Sequence, residues 1–402
     1  MHSPHDFDQL RRTFLGLFGE GPQEARLFSA PGRIEIGGNH TDHNHGRVLA
    51  AAVDLDSTAL ARSTESGRIR VHSAGYPGVF EVDLNGDWTA ARADEKESPT
   101  ALIRGVASGL AGHGVPINGL DAAVDSRIGE GSGLSSSAAF EVLLATALND
   151  LCGAGRVDQR QIAGLCQRAE RNYFGKPTGL MDQTVSARGG TLFIDFRDAE
   201  NPLIEPIIFD WEAAGLQIVV VNTGSSHADL TAEYAAITSE MQSVAFALGG
   251  SVLRDISRDD FLAQMGALHG RVSDRALLRA LHFFDEDDRV VRQVAALRSG
   301  EVGEFLKLVG DSGRSSWMFC QNCYRLPGQQ GIPIGLAASG AILEGSGAWR
   351  VHGGGFAGTI LAFVPKDRLT RYLETMDALF GQEACEVVTI RKAGAGRLKT
   401  KD

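Results

Sequence analysis

The spacing of apolar side chains along this chain predicts a mixture of helices and strands. Several stretches carry apolar residues every three or four positions, which is typical of amphipathic helices. They are residues 6–19, 99–113, 138–153, 158–174, 227–247, 258–266, 273–281, 287–298 and 301–310. Short runs rich in Val, Ile and Leu between them predict strands. These are RLFSAPGRIEIGG, VLAAAVDLDSTALARS, GLDAAVDSRI, GGTLFIDF, LQIVVVNTG and the start of WRVHGGGFAGTILAFVP.

Two polar stretches interrupt this pattern. RDAENP, near residue 200, indicates a junction between a first domain of residues 1–199 and a second domain of residues 200–402. A chain of 402 residues is long enough for one large domain or two ordinary ones. FDEDDR, residues Phe284–Arg289, predicts the solvent-exposed start of a helix, because acidic side chains favour a first turn.

The charge balance narrows the classes of partner. A net charge of −11 and a pI near 5.5 argue against a nucleic-acid binder or a protein that binds anionic membranes. No run of 18 apolar residues predicts a membrane span. The N-terminal segment carries acidic residues early and lacks an uninterrupted apolar core, so it does not predict a secretion signal. We therefore expect a cytoplasmic protein.

The number of cysteines is also consistent with the cytoplasm. Five cysteines, an odd number, are typical of reduced thiols rather than of a disulfide framework. Cys320 and Cys323 form one CxxC motif, but no second pair accompanies it. A metal or redox role and ordinary partly buried thiols are the two alternatives for that motif.

The segment Gly129–Val142, GEGSGLSSSAAFEV, predicts a phosphate-binding loop. Glycines let backbone N–H groups approach a phosphate, and the start of the following helix adds free donors and partial positive charge. A flexible linker is the alternative, but a linker does not run directly into a periodic apolar helix. The chain contains no GxxxxGK[ST] motif, which excludes a P-loop. The loop also lacks the GxGxxG spacing of a dinucleotide-binding domain.

The segment Gly37–Gly46, GGNHTDHNHG, concentrates polar chemistry in ten residues. It fits a metal site, a catalytic histidine cluster or a pocket that hydrogen-bonds a polar small molecule. A zinc site would use His40, Asp42, His43 and His45. Four ligands so close in sequence require difficult backbone geometry to reach one ion, and no distant cysteine–histidine pair supports them. The sequence favours the small-molecule pocket.

Four segments together resemble the GHMP sugar kinases, and within them the galactokinase branch. They are APGRIEIGGNHTDHNHG (Ala30–Gly46), GEGSGLSSSAA (Gly129–Ala139), CQRAERNYFGKPTGLMDQ (Cys166–Gln183) and RVHGGGFAGT (Arg350–Thr359). The resemblance implies an α+β fold of two domains with the active site in the cleft between them. It further implies transfer of phosphate from ATP, with Mg²⁺, to the anomeric hydroxyl of galactose or a galactose-like sugar. We expect a monomer or a weak homo-oligomer.

The resemblance also assigns roles to single residues. Asp182 matches the catalytic aspartate that takes the proton of the sugar hydroxyl, and Arg33 matches the arginine paired with it. Ser137 and Glu170 match the Mg²⁺ ligands. The residues matched to sugar binding are Asn39, His40, Asp42, His43, Asp182, Tyr234 and Gly354. The residues matched to ATP binding are Gly129, Gly131, Ser132, Gly133, Leu134, Ser135, Ser136 and Ser137.

Two positions depart from the galactokinase pattern. Asn39 stands where the family has a glutamate that holds the 6-hydroxyl of the sugar, and His43 replaces a tyrosine. Loss of a carboxylate near C6 suggests a sugar altered there, such as galacturonate. Two readings from other classes remain: a galactokinase-like sensor that binds sugar and ATP without turnover, and a kinase for a non-sugar alcohol. The intact serine run argues against the sensor, and GNHTDHNHG argues against the non-sugar kinase.

Overall fold

A computed structural model describes residues 5–129, 131–176, 178–224, 230–324, 326–356 and 358–399. The helices are α1 (Phe7–Phe18), α2 (Pro99–Gly112), α3 (Ser136–Gly153), α4 (Gln159–Ala169), α5 (Met181–Arg188), α6 (Thr231–Ala247), α7 (Arg258–Leu268), α8 (Asp274–Ser299), α9 (Val302–Ser315), α10 (Gly331–Leu343) and α11 (Leu369–Phe380). The strands are β1 (Arg26–Gly37), β2 (Arg47–Ser63), β3 (Arg68–Ser73), β4 (Phe80–Asp83), β5 (Leu120–Ser126), β6 (Thr191–Asp195), β7 (Leu203–Ile207), β8 (Leu216–Asn222), β9 (Ala348–Val351), β10 (Thr359–Pro365), β11 (Cys385–Val388) and β12 (Gly396–Arg397).

The strands of the described residues form two sheets. The larger sheet has eight strands in the order β12-β1-β2-β5-β3-β4, with β6 paired to β2 and β7 paired to β6. The smaller sheet has four strands in the order β11-β8-β10-β9. Pairing is antiparallel except between β3 and β5. The histidine-rich segment connects β1 and β2, as the sequence predicts.

Two hydrophobic cores hold these layers together. Helices α2, α3 and α4 pack on one face of the larger sheet, where side chains such as Ile103 and Val142 meet Phe28 and Val124. A second core joins the two sheets: Ile34 and Val53 of the larger sheet share one cluster with Val220 and Phe363 of the smaller sheet, and α8 and α9 contribute to it. The first half of β1, with Phe28 and Ala30, faces the first core, and its second half, with Ile34 and Ile36, faces the second. The change follows a register shift between Pro31 and Arg33.

The prediction for FDEDDR is wrong. Residues 273–281 and 287–298 belong to one helix, α8, of 26 residues, and the acidic run lies in its middle. Glu286 is fully buried and accepts hydrogen bonds from the Gly38 N–H at 2.9 Å and the Ser312 hydroxyl at 2.6 Å. Asp287 pairs with Arg47 and Arg254 at 2.8 and 2.7 Å. Long-range partners satisfy these charges, and a local pattern cannot reveal such partners.

The RDAENP stretch near residue 200 does not separate the strands of the two sheets cleanly. β7 follows residue 200 yet pairs with β6, and β12 returns from the C-terminal end to pair with β1. The smaller sheet lies wholly after residue 200. The boundary between residues 199 and 200 stays a prediction.

The two cysteines of the CxxC motif are buried free thiols. Burial raises the pKa of both, and that of Cys323 reaches about 12. Thiols of this kind stay protonated and are poor nucleophiles at neutral pH. Within the described ranges, no helix combines the length and the apolar character that crossing a membrane requires.

Candidate active site

One cavity of about 440 Å³ collects most of the residues that the sequence analysis selects. It lies between the end of β1, the loop before α3, the start of α5, helix α6 and the connection from β9 to β10. Fourteen of the selected residues line it: Arg33, His40, Asp42, His43, Gly129, Gly131, Ser132, Gly133, Ser135, Ser136, Ser137, Asp182, Tyr234 and Gly354. Leu134, Asn39 and Glu170 are buried behind the wall. The segments that lie far apart in sequence thus converge on one space.

The most polar wall of the cavity is an ion pair. Arg33 donates from Nε to Asp182 Oδ1 at 2.7 Å and from Nη2 to Asp182 Oδ2 at 2.8 Å. Such a two-point contact fixes the plane of the carboxylate as well as its position. Arg33 also donates to the carbonyl oxygen of Gly133, and its own N–H bonds to the Leu134 carbonyl at 3.0 Å. The arginine therefore joins the phosphate loop to Asp182.

These contacts decide the charge of Asp182. Burial by itself would raise the pKa of this carboxyl group, but the charge and hydrogen bonds of Arg33 and a hydrogen bond from the Ser135 hydroxyl hold it below its ordinary value. Asp182 is therefore ionised at neutral pH, and its side chain is still 21% exposed to the cavity. An ionised, partly accessible carboxylate is able to accept a proton from a bound hydroxyl.

The phosphate loop has the backbone geometry that close approach requires. Gly133 has a φ of +72°, and a Cβ there would lie 2.2 Å from Thr359 Oγ1, so only glycine fits. Ser135 also adopts a left-handed conformation, with φ +60°, which is uncommon for a residue other than glycine. Helix α3 begins directly after it, so the free N–H groups and positive end of the helix point into the cavity.

The residues behind the serine run suit a divalent cation. The Ser137 hydroxyl donates to Glu170 Oε1 at 3.0 Å, and Lys176 Nζ lies 2.8 Å from the same oxygen. Gln183 Nε2 donates to the other oxygen, Glu170 Oε2, at 2.9 Å. One carboxylate and one hydroxyl beside a phosphate-binding loop fit Mg²⁺, which takes few protein oxygens and completes its shell with phosphate and water.

The opposite side of the cavity carries hydrogen-bonding groups. His40 Nε2 donates to the Gly354 carbonyl at 3.0 Å, so its Nδ1 is left as an acceptor. Burial, followed by the nearby His43, lowers the pKa of His40 to about 3, which keeps the ring neutral. Asp42 approaches Gly179 so closely that a Cβ there would lie 1.7 Å from Asp42 Oδ2. The rings of His40 and His43 stack with centroids 6.0 Å apart.

Asn39 is not at this wall. Its Nδ2 donates to Glu35 Oε1 at 2.9 Å and to the Gly353 carbonyl at 2.8 Å. Its Oδ1 accepts from Asn322 at 2.9 Å and from Ser316 at 3.1 Å. The amide of Asn39 is fully used inside the protein, so it acts on a ligand through its partners, of which Glu35 and Gly353 line the cavity.

The sequence analysis missed four polar side chains of the cavity wall: Glu35, Lys176, Thr178 and His352. A signal for Glu35 existed, because residues two apart on a strand point to the same face and Glu35 follows Arg33 by two positions. Lys176 and His352 lie inside segments that the sequence analysis selects, but they lack a matched role. The zinc set gains no support, since the described residues contain no cluster of three or more His, Cys, Asp or Glu side chains able to hold a metal ion.

Fold and site together define a sugar kinase of the GHMP type. The model of the GHMP kinase N-terminal domain matches residues 101–190, and that of the galactokinase galactose-binding signature matches residues 12–63. A galactokinase of Streptomyces coelicolor is 35% identical over 96% of this chain and 97% of its own length. A human galactokinase is 33% identical over 87% and 86%. The chain belongs to the galactokinase family.

A solved structure agrees with this assignment. The crystal structure of Lactococcus lactis galactokinase in complex with galactose has 25% sequence identity and a TM-score of 0.85. The similarity covers 98% of this chain and 100% of that one. The prediction of the α+β GHMP kinase fold is confirmed.

Proposed function

We propose that this protein transfers the γ-phosphoryl group of ATP to the anomeric hydroxyl of galactose. The observation that carries the proposal is the ion pair of Arg33 and Asp182, set in a cavity between a phosphate-binding loop and a cluster of sugar-sized hydrogen-bonding groups. Membership in the galactokinase family and the likeness to a galactose complex support the choice of sugar.

Each group of residues in the cavity has its own part in the proposed reaction. Asp182 accepts the proton of the C1 hydroxyl, whose oxygen then forms a bond to the γ-phosphorus while the bond from that phosphorus to the bridging oxygen of ADP breaks. Arg33 keeps Asp182 ionised and stabilises negative charge that develops on the phosphoryl oxygens. Backbone N–H groups of the glycine and serine loop and the start of α3 hold the ATP phosphates.

A divalent cation fits the same arrangement. Ser137 and Glu170 would hold Mg²⁺, which when bound neutralises charge on the ATP phosphates. Binding requires Lys176 to leave Glu170 Oε1 or to share it, because its ammonium group lies 2.8 Å from that oxygen.

Two further properties belong to the proposal. The protein acts in the cytoplasm, which the five free cysteines support. It acts as a monomer or a weak homo-oligomer, with sugar and ATP as partners and neither nucleic acid nor membrane, as the net charge of −11 supports. Size-exclusion chromatography with light scattering over a hundredfold range of concentration tests the oligomeric state.

The second candidate substrate is a sugar altered at C6, such as galacturonate. It rests on Asn39 and His43, which replace the residues expected from the galactokinase pattern. A carboxylate at Glu35, held by the Asn39 amide on the cavity wall, favours neutral galactose instead.

The experiment is ADP release with Mg-ATP over a panel of galactose, galacturonate, glucose, glucuronate, N-acetylgalactosamine and arabinose, with Asp182→Asn as the inactive control. We expect galactose to be turned over with the highest kcat/KM and the variant to lose that turnover. Turnover confined to uronates would replace galactose by the second candidate. Sugar and ATP binding without turnover would indicate a sensor.

A further inference from the structure

Glu35 has a position in the cavity that no assigned role explains. It follows Arg33 by two residues on β1, so both side chains point from the same face of the strand toward the cavity. The residue is only 4% exposed, yet it is part of the cavity wall. A carboxylate this deeply buried loses its hydration and needs partners from the protein or from a ligand.

The protein supplies partners for one oxygen of Glu35. Oε1 accepts from Arg350 Nη2 at 2.7 Å and from Asn39 Nδ2 at 2.9 Å. Arg350 is itself fully buried, so this pair is shielded from water. The Glu35 side chain is thereby fixed in position, as a ligand-binding group in a rigid site should be.

The second oxygen is left for a ligand. Oε2 accepts no hydrogen bond from any described residue, and it is not among the polar atoms that the fold seals away from solvent. Because Glu35 lines the cavity, the accessible oxygen faces the cavity interior. Oε2 is therefore available to accept a hydrogen bond from a ligand.

The neighbours of Oε2 indicate which donor fits. Arg33 and Asp182 mark the place of the reacting hydroxyl, and Glu35 lies one pleat further along the same strand as Arg33. Two alternate residues of a strand are separated by about 6.6 to 6.8 Å, so the acceptor lies within the span of one sugar ring. A hydroxyl on another carbon of the same sugar is therefore within reach.

We propose that Glu35 is a specificity-determining sugar ligand, whose Oε2 accepts a hydrogen bond from a hydroxyl other than that of C1 and excludes sugars that carry a carboxylate there. This inference rests on the proposed function and names its substrate class, a neutral hexose. Asn39 acts as a positioning residue that holds Glu35 through Oε1. Glu35 thus supplies a carboxylate to the sugar site, whereas the galactokinase pattern has its glutamate at the position of Asn39.

The test combines a protein variant with altered sugars. Steady-state kcat and KM are measured for the wild type and Glu35→Gln with galactose and its 2-, 3-, 4- and 6-deoxy forms. We expect Glu35→Gln to raise KM for galactose about tenfold or more, because hydrogen bonds to charged groups contribute about 1.5–3 kcal/mol. The wild type should bind one of the deoxy sugars more weakly than galactose. For that same deoxy sugar, Glu35→Gln should cause little further loss of affinity, and this result identifies the hydroxyl that Glu35 binds.

A matched control separates binding from a general effect of removing a buried charge. Glu95→Gln also breaks a carboxylate–arginine pair, with the buried Arg104 at 2.5 Å, but Glu95 does not line the cavity. We expect Glu95→Gln to leave KM for every sugar unchanged. Equal losses for all deoxy sugars in the wild type and in Glu35→Gln would overturn the proposal.

The wild-type protein alone gives an independent test if Glu35→Gln does not fold. Calorimetric titration with galactose and galacturonate should show at least tenfold weaker binding of the uronate, because two carboxylates would meet in one buried site. Equal or tighter binding of the uronate would contradict the role of Glu35. Failure of the wild type to phosphorylate galactose, with that binding preference intact, would count against the proposed function and leave Glu35 as a sugar ligand.

Discussion

Asp182 and Glu35 are two buried carboxylates on the wall of one cavity, each paired with an arginine, yet their pKa values move in opposite directions. Burial raises both. Asp182 has hydrogen bonds on both oxygens, two from Arg33 and one from Ser135, and its pKa falls below the ordinary value. Glu35 has partners on one oxygen only, and its pKa rises to about 7. The partly accessible Asp182, with partners on both oxygens, keeps its charge, whereas the more deeply buried Glu35, with partners on one oxygen, has a raised pKa.

This difference matches the roles proposed for Asp182 and Glu35. A catalytic base that must be ionised at every working pH needs its charge stabilised before the substrate arrives. A ligand-binding acceptor with a vacant oxygen gains its missing hydrogen bond from the substrate itself. The comparison therefore separates a group that acts on the reacting hydroxyl from a group that recognises the sugar.

The largest expected effect comes from removing the base. Asp182→Asn keeps the size of the side chain but cannot accept the hydroxyl proton, so kcat should fall by about 10³, within the 10²–10⁴ contributed by general bases. Nucleotide binding should persist, because the glycines and serines of the phosphate loop are unchanged and the amide oxygen of Asn is still able to accept a hydrogen bond from Ser135. The measurement is single-turnover kinetics alongside titration with a fluorescent nucleotide. A variant that keeps one tenth of kcat would show that Asp182 is not the base.

Removing the arginine that pairs with Glu35 tests the other half of the comparison. Arg350→Met leaves Glu35 without its charged partner, and breaking a buried pair in this way costs about 3 kcal/mol of folding stability. The pKa of Glu35 should then rise further above its unfolded value. Because the folded state then binds the extra proton, stability should decrease as pH rises through 7. Urea unfolding at pH 5.5 and 8 measures both effects.

An equal loss of stability at the two pH values would show that Arg350 does not act through Glu35. Arg104→Met provides the matched control, since Arg104 is also buried and pairs with a carboxylate, Glu95, outside the cavity. We expect its cost to be similar at pH 5.5 but without the added loss between pH 5.5 and 8.

The sequence predicts the phosphate loop better than it predicts the partners of Asn39, and the reason is physical. Residues of the phosphate loop act through local backbone geometry, so glycines, serines and the following helix are readable in order. The roles of Arg33 and Asp182 followed from resemblance to known motifs, and the structure brings the pair together across 149 positions. Of the partners of Asn39, only Glu35 is close in sequence, four positions away. Gly353, Ser316 and Asn322 lie 277 or more positions away, and no local pattern encodes them.

The acidic run of α8 illustrates the same limit. Local reasoning placed Glu286 and Asp287 in solvent, but they accept hydrogen bonds from the backbone N–H groups of Gly38 and Arg47, at the two ends of the loop between β1 and β2. Burial would raise the pKa of Glu286, but the charge of Arg289 and other partners lower it to about 2. The presence of most helices was predictable from periodicity, although α8 was divided into two. Which charged residues the fold would bury was not.

We expect a smaller loss of kcat when Arg33 is altered than when Asp182 is replaced by Asn. Arg33→Lys keeps one positive charge but loses the two-point contact, so kcat should fall by about 10². The pKa of Asp182 should rise, because burial is then opposed by fewer hydrogen bonds. The acid limb of the kcat–pH profile should therefore move to higher pH. A lower kcat with an unchanged acid limb would confine Arg33 to phosphate stabilisation.

The smallest effect is a pH dependence of sugar binding that leaves catalysis unchanged. With a pKa of about 7, Glu35 changes from mostly protonated at pH 6 to mostly ionised at pH 8. The ionised form is the stronger acceptor, so KM for galactose should fall several-fold over this range. Asp182 stays ionised throughout, so kcat should remain nearly constant. The charged and titratable groups facing Glu35 are Arg350, Arg33, Asp42, Cys320 and His352.

Neither Cys320 nor His352 explains such a change in place of Glu35. The pKa of Cys320 is raised by burial, and His352 Nε2 accepts the Glu35 N–H at 3.0 Å while burial lowers the pKa of that ring well below its ordinary value. Galacturonate should show the opposite slope, with KM rising above pH 7 as two carboxylates come to face each other. Glu35→Gln should flatten both slopes. A slope for galactose that survives in the variant would assign the titration to another group and remove the contrast between Asp182 and Glu35.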